Sequence, residues 1–119
     1  MQISKKPTKI KALGNPPKTI EEFIGRINTK TNSISIARMK SPKGWSEPFQ
    51  QPDFEEYSVI LKGALSAKIN NKTIILKPGQ SIIVPAGTRV QYSTPKGAEY
   101  ISVCVPAFSP DKAHREQDL

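Results

Sequence analysis

One cysteine and one histidine occur among the 119 residues, and these two scarcities rule out several chemistries at once. Cys104, alone, can form no internal disulfide and no all-cysteine zinc site, so a reducing, cytoplasmic setting is the expectation. His114, alone, can form no imidazole cluster. No apolar run approaches the roughly 20 residues that a bilayer-spanning helix needs. The lysine-bearing start, residues 1–11, has no apolar stretch behind it and does not read as a secretory signal. No membrane partner is therefore expected.

Acids are also few. Ten Asp and Glu stand against eighteen Lys and Arg, a net charge of +8. Lys5, Lys6, Lys9, Lys11 and Lys18 fall in the first 18 residues, which contain no acid. Such an arm suits nucleic acid on charge alone. Yet no aromatic residue is interleaved with the lysines to stack on bases, and no nucleic-acid motif is present. Residues 1–17 read as an irregular, solvated basic arm, and no nucleic-acid partner is expected.

What the chain does contain is turn chemistry. Eleven prolines and seven glycines punctuate one domain-sized chain, which favours short strands over a helical bundle. Thr19 with Glu22 three residues on resembles a capping box, and Ile20, Phe23, Ile24 and Ile27 follow at helical spacing. A short helix is predicted over 19–28. From Ser33 the period becomes two, predicting strands at 33–39, 57–61, 64–69, 73–76, 81–84, 89–93 and 99–105. Asn70-Asn71 tolerates positive φ and suits a tight hairpin. The barrel domain is read as 18–106, and 107–119 as a polar tail without periodicity.

Two segments carry a paired signature. Gly44 is followed by five residues, then Gln50, Pro52, three residues, Glu56, six residues and Gly63. Gly79 is followed by five residues, Pro85-Ala86-Gly87, two residues, Val90, and Thr94 at the final place. In register within an all-β rhythm, these segments resemble the two motifs of the cupin superfamily. The likeness is to its small single-domain members and to the cupin of ethanolamine-utilisation proteins. The resemblance implies an all-β, double-stranded β-helix (jelly-roll) barrel, here with one short N-terminal helix. It also implies a divalent metal held by three histidines and a glutamate. At those four places this sequence has Gln50, Pro52, Glu56 and Val90. Proline and valine donate nothing, and a first-row metal wants about three good donors. No metal or other cofactor is expected. Glu47, Asp53 and Glu55 beside Glu56 could attract a hard cation, but a solvated acidic loop is the simpler reading.

Alternation extends the inward face from the motif positions. Glu56 brings Ser58 and Ile60 inward, and Val90 brings Tyr92 and Thr94. On the last strand Tyr100, Ser102 and Cys104 share one face, assigned to the cavity, while Ile101, Val103 and Val105 share the other. Arg38 joins the inward set as a possible bidentate holder of a ligand carboxylate. The candidate binding residues are thus Arg38, Gln50, Glu56, Ser58, Ile60, Val90, Tyr92, Tyr100, Ser102 and Cys104. A carboxylate deep in an apolar barrel has its charged form disfavoured, which suits acid–base work by Glu56 with Tyr92 as partner. Cys104, with nothing nearby to activate it, reads as a small hydrophobe.

Three functions follow. The first is a small-molecule-binding cupin without the usual metal, holding a small polar or anionic metabolite. The second is a metal-independent isomerase, epimerase or lyase using Glu56. The third is a metal-dependent enzyme with a rebuilt site. The apolar outer face fits a homodimer.

Overall fold

The computed structural model describes residues 1–12 and 14–116. Ten strands and one short helix follow in chain order: β1 (Thr8–Lys11), β2 (Thr19–Ile24), β3 (Ser35–Ser41), β4 (Trp45–Ser46), β5 (Glu55–Gly63), β6 (Leu65–Ile69), β7 (Lys72–Leu76), β8 (Ser81–Val84), β9 (Gln91–Thr94), β10 (Ala98–Val105) and α1 (Pro110–Ala113). A six-stranded sheet runs β1-β2-β3-β10-β5-β8 and faces a four-stranded sheet, β4-β9-β6-β7. Every pairing is antiparallel. The fold is all-β, a jelly-roll barrel.

Alternation places the core between the sheets. Along β10 the side chains of Ala98, Tyr100, Ser102 and Cys104 are buried, and the residues between them are more exposed. Ile60, Leu65, Ala67 and Leu76 meet Trp45, Val84, Val90 and Tyr92 in one apolar cluster. Asn70 and Asn71, at φ 51° and 64°, close the β6–β7 hairpin in the left-handed conformation that asparagine tolerates. Gly63, at φ 71°, ends β5 against the Gly97 carbonyl, a contact that leaves no room for a Cβ.

Two expectations about the flanks are corrected. The segment predicted as a helix over 19–28 is strand β2, hydrogen-bonded to β1 on one side and β3 on the other. Among the described residues the one short helix lies toward the other end of the chain, at Pro110–Ala113. β-Branched Thr19, Ile20 and Ile24 suit a strand, and a short isolated helix is marginal without a surface for its stripe. Most of that stripe is not buried: Phe23, Ile24 and Ile27 are exposed and only Ile20 turns to the interior, while Glu22 is buried. The Glu22 carboxylate accepts the N–H groups of Ile27 and Asn28, at 3.0 and 2.8 Å, and so fastens the turn after β2 instead of capping Thr19.

The basic arm is not wholly irregular, because β1 forms within it. Of the polar tail, residues 107–116 are described and 117–119 lie outside the described residues. Ala107, Ser109 and Ala113 are buried, and backbone hydrogen bonds tie the tail to the segment before β5: Gln51 N–H to the His114 carbonyl, Asp53 N–H to Lys112, and Glu116 N–H to Phe49. The tail therefore crosses one mouth of the barrel.

Candidate functional site

The cavity lies between the sheets, beside this crossing, with a volume of about 60 Å³. Its polar wall comes from the strands that carry the motif positions. Adjacent strands β5 and β10 put Glu56 opposite Cys104 and Ser58 opposite Ser102. Glu56 is the hub. Tyr92 donates its hydroxyl to Oε1 at 3.0 Å, and Ser102 donates to Oε2 at 2.6 Å. The Cys104 thiol also donates to Oε2, at 3.8 Å. Three donors converging on one side chain are what a carboxylate, as an acceptor-only group, accommodates.

Burial and the Glu56 charge both disfavour ionising the neighbours. Burial pushes the Tyr92 hydroxyl well above its usual value, and Glu56 pushes it further. The Cys104 thiol is pushed up by the same two causes, so it is no activated nucleophile. Burial also raises Tyr100, against the nearby Lys18 ammonium.

The structure divides the ten candidate residues into three sets. Gln50, Glu56, Ser58, Tyr92, Tyr100, Ser102 and Cys104 all line the cavity. Ile60 and Val90 are buried in the adjoining apolar cluster and do not line it. Arg38 is corrected outright. It sits on the outer face of β3, its side chain 37% exposed, and pairs with Glu99 at 2.9 Å. Ala37 and Met39, its neighbours on β3, line the cavity instead.

Several residues of the wall escaped the sequence reading. Glu47, placed there in a solvated acidic loop, is 5% exposed and lines the cavity. Burial raises its carboxyl above the usual range, opposed by Lys18 and Arg115. Alternation from Trp45 would have turned it inward, since Trp45 is buried and Glu47 is two residues on. Lys18 is not part of a solvated arm. Its ammonium lies 4.0 Å from the centre of the Trp45 ring and donates to the Tyr100 hydroxyl at 3.3 Å. Arg115, from the polar tail, approaches Glu47 at 3.8 Å. Nothing local in the sequence signals that residues 97 positions apart share a cavity. His114 stays outside, half exposed, 2.7 Å from Asp53.

The donor set can be tested against the metal that the motif resemblance implies. Gln50 and Val90 are joined by a reciprocal pair of backbone hydrogen bonds, 2.9 and 2.8 Å, so the two motif halves do meet. What they bring together is an amide and a valine packed in the core. Glu56 is the one carboxylate among the four positions, and both its oxygens already accept protein donors. Among the described residues no group of three His, Cys, Asp or Glu is placed to hold an ion. The residues do not fit a first-row metal.

With that geometry in place, the likenesses are informative. The family model described as "Cupin domain" matches residues 37–104. A curated relative, endoribonuclease YbeY of Myxococcus xanthus, is 46% identical over 101 residues, covering 83% of this chain and 34% of that protein. The chain thus spans about a third of that relative's length. Among solved structures, the ethanolamine-utilisation protein EutQ of Salmonella typhimurium superposes with a TM-score of 0.69 at 16% identity, covering 87% of this chain and 98% of the other. A Streptomyces PAC13 variant with uridine gives 0.77 at 14%, covering 98% and 90%. At such identities the two structures speak for the fold alone.

Proposed function

The chain belongs to the cupin family, and from that premise we propose that it is a binding domain for a small polar molecule, working without the family's metal. The observation that carries this reading is the engagement of Glu56. Its two oxygens are held by Tyr92 and Ser102 inside a cavity to which, of the other three motif positions, only the Gln50 amide contributes. A mostly apolar concavity with a few fixed polar groups is the usual form of a small-ligand site. The anionic half of the earlier expectation loses its support, because Arg38 pairs with Glu99 outside the barrel.

A second reading uses the same pair as an acid–base couple, and the 3.0 Å Tyr92–Glu56 contact in the cavity favours it. Glu56→Gln separates the two. A binder keeps affinity within a few-fold, because the amide still accepts and donates hydrogen bonds. An enzyme using the carboxylate for proton transfer loses about 10²–10⁴-fold in turnover. Stoichiometric iron, manganese, nickel or zinc in purified protein would overturn both. We also propose a homodimer through the outer face of the larger sheet, where Val59, Leu61, Ile83 and Val105 are exposed. Light scattering that returns a monomer mass rejects it.

A further inference from the structure

Three polar atoms in the cavity wall have no hydrogen-bond partner, Glu47 Oε2 having only the Arg115 guanidinium at 3.8 Å, and together they describe what would complete them. Glu47 Oε2, Gln50 Oε1 and Arg115 Nε are all buried without a hydrogen bond. Glu47 and Gln50 are 5% and 4% exposed, and all three residues line the one cavity. Native proteins leave few buried polar atoms unpaired, so three in one wall mark a place for an outside group. Two of them are acceptors and one is a donor. Resting on the reading of this cavity as a binding site, we infer that its ligand is a small neutral molecule. It presents hydroxyl or amide N–H donors to Glu47 and Gln50 and an oxygen acceptor to Arg115.

Charge argues for neutrality. The wall holds three carboxylates, Glu22, Glu47 and Glu56, and two cations, Lys18 and Arg115; of the three acids, Glu22 is already taken up by the N–H groups of Ile27 and Asn28. An anion would add unbalanced negative charge beside Glu47 and Glu56 in a poorly solvated space, and a cation would crowd Lys18 and Arg115. Shape adds a second constraint. Ile20, Met39 and Phe54 supply an apolar wall that accepts the carbon face of such a molecule. At about 60 Å³ the cavity admits roughly four or five water-sized groups. That is the scale of a short polyol or a simple amide.

Ethylene glycol and acetamide, titrated into the full chain with two-dimensional NMR of backbone and side-chain amides, test the two donor types separately. Acetate serves as the anionic isostere of acetamide. The expected result is saturable movement of the Gln50 side-chain amide resonances by at least one neutral compound, and at least tenfold weaker binding of acetate. Gln50→Leu, followed on the backbone amides around the cavity, weakens the neutral compound at least tenfold. The spectra themselves report whether the variant is folded. Acetate binding at the same resonances as tightly as acetamide overturns the neutral assignment and leaves the binding reading standing. If no compound of any class moves those resonances, the binding reading falls with it.

Discussion

Removing the Glu56 carboxylate while leaving its donors in place should cost far more stability than removing acceptor and donors together. In Glu56→Ala, the hydroxyls of Tyr92 and Ser102, on residues 5% and 2% exposed, lose their acceptor. Each orphaned buried hydroxyl costs about 1–3 kcal/mol. A water entering the adjoining cavity offsets part of one of them. The net loss is about 2–4 kcal/mol, a sizeable share of the roughly 5–15 kcal/mol that holds a domain folded. With a urea slope of about 1–3 kcal/mol per molar, the unfolding midpoint should fall by about 1–2 M. The triple variant Glu56→Ala, Tyr92→Phe, Ser102→Ala removes the orphaned donors with the acceptor and should regain at least half of that loss. Urea unfolding followed by far-ultraviolet circular dichroism measures both. A triple variant less stable than Glu56→Ala alone would refute the reasoning, because the cost would then lie in the separate contacts and not in stranded partners.

Three further outcomes follow from the geometry. Gly63→Ala should destabilise by at least about 2 kcal/mol, since strain at φ 71° adds to collision with the Gly97 carbonyl; Gly79→Ala, at φ 85° with nothing within 4 Å of its Cβ, should cost about half as much, and equal costs would discount the collision. Burial raises the Glu47 carboxyl above its unfolded value, so the folded state binds that proton more tightly; this stability is complete below about pH 4 and is lost as pH rises through the folded value. Glu47→Gln, neutral throughout, should flatten that decline, and an unchanged pH slope of the unfolding midpoint would count against the assignment. The Cys104 thiol, buried and held protonated by its surroundings, should react with a thiol-directed disulfide reagent only after denaturant is added, and rapid labelling of the native protein would contradict that placement.

The β part of the fold was legible because it rests on two-residue periodicity and turn residues, which are local. Ser58 follows from alternation once Glu56 is known to face inward, and Tyr100, Ser102 and Cys104 follow as the more polar of the two faces of the last strand. Arg38 fails under the same rule because no motif anchors its strand, and a one-residue choice of face decides between the cavity and Glu99. The Thr19–Ile24 segment misleads for a different reason. Its helical spacing is real, but pairing with two neighbouring strands outweighs it, and no short window contains those neighbours. Lys18 and Arg115 share that obscurity. Their place in the wall is set by contacts across most of the chain, to Trp45, Tyr100 and Glu47.

The position of β10 bears on how the molecule is made. This late strand lies between β3 and β5, which do not touch each other in the sheet. While a ribosome is still extending the chain, those two strands have no shared neighbour, and their inward faces wait uncovered. Closure must follow translation of residues 98–105, and sealing of the mouth must follow that of 110–116. Such order predicts slow folding, with an interval in which the nascent strands depend on chaperones or on low local concentration to avoid pairing with one another.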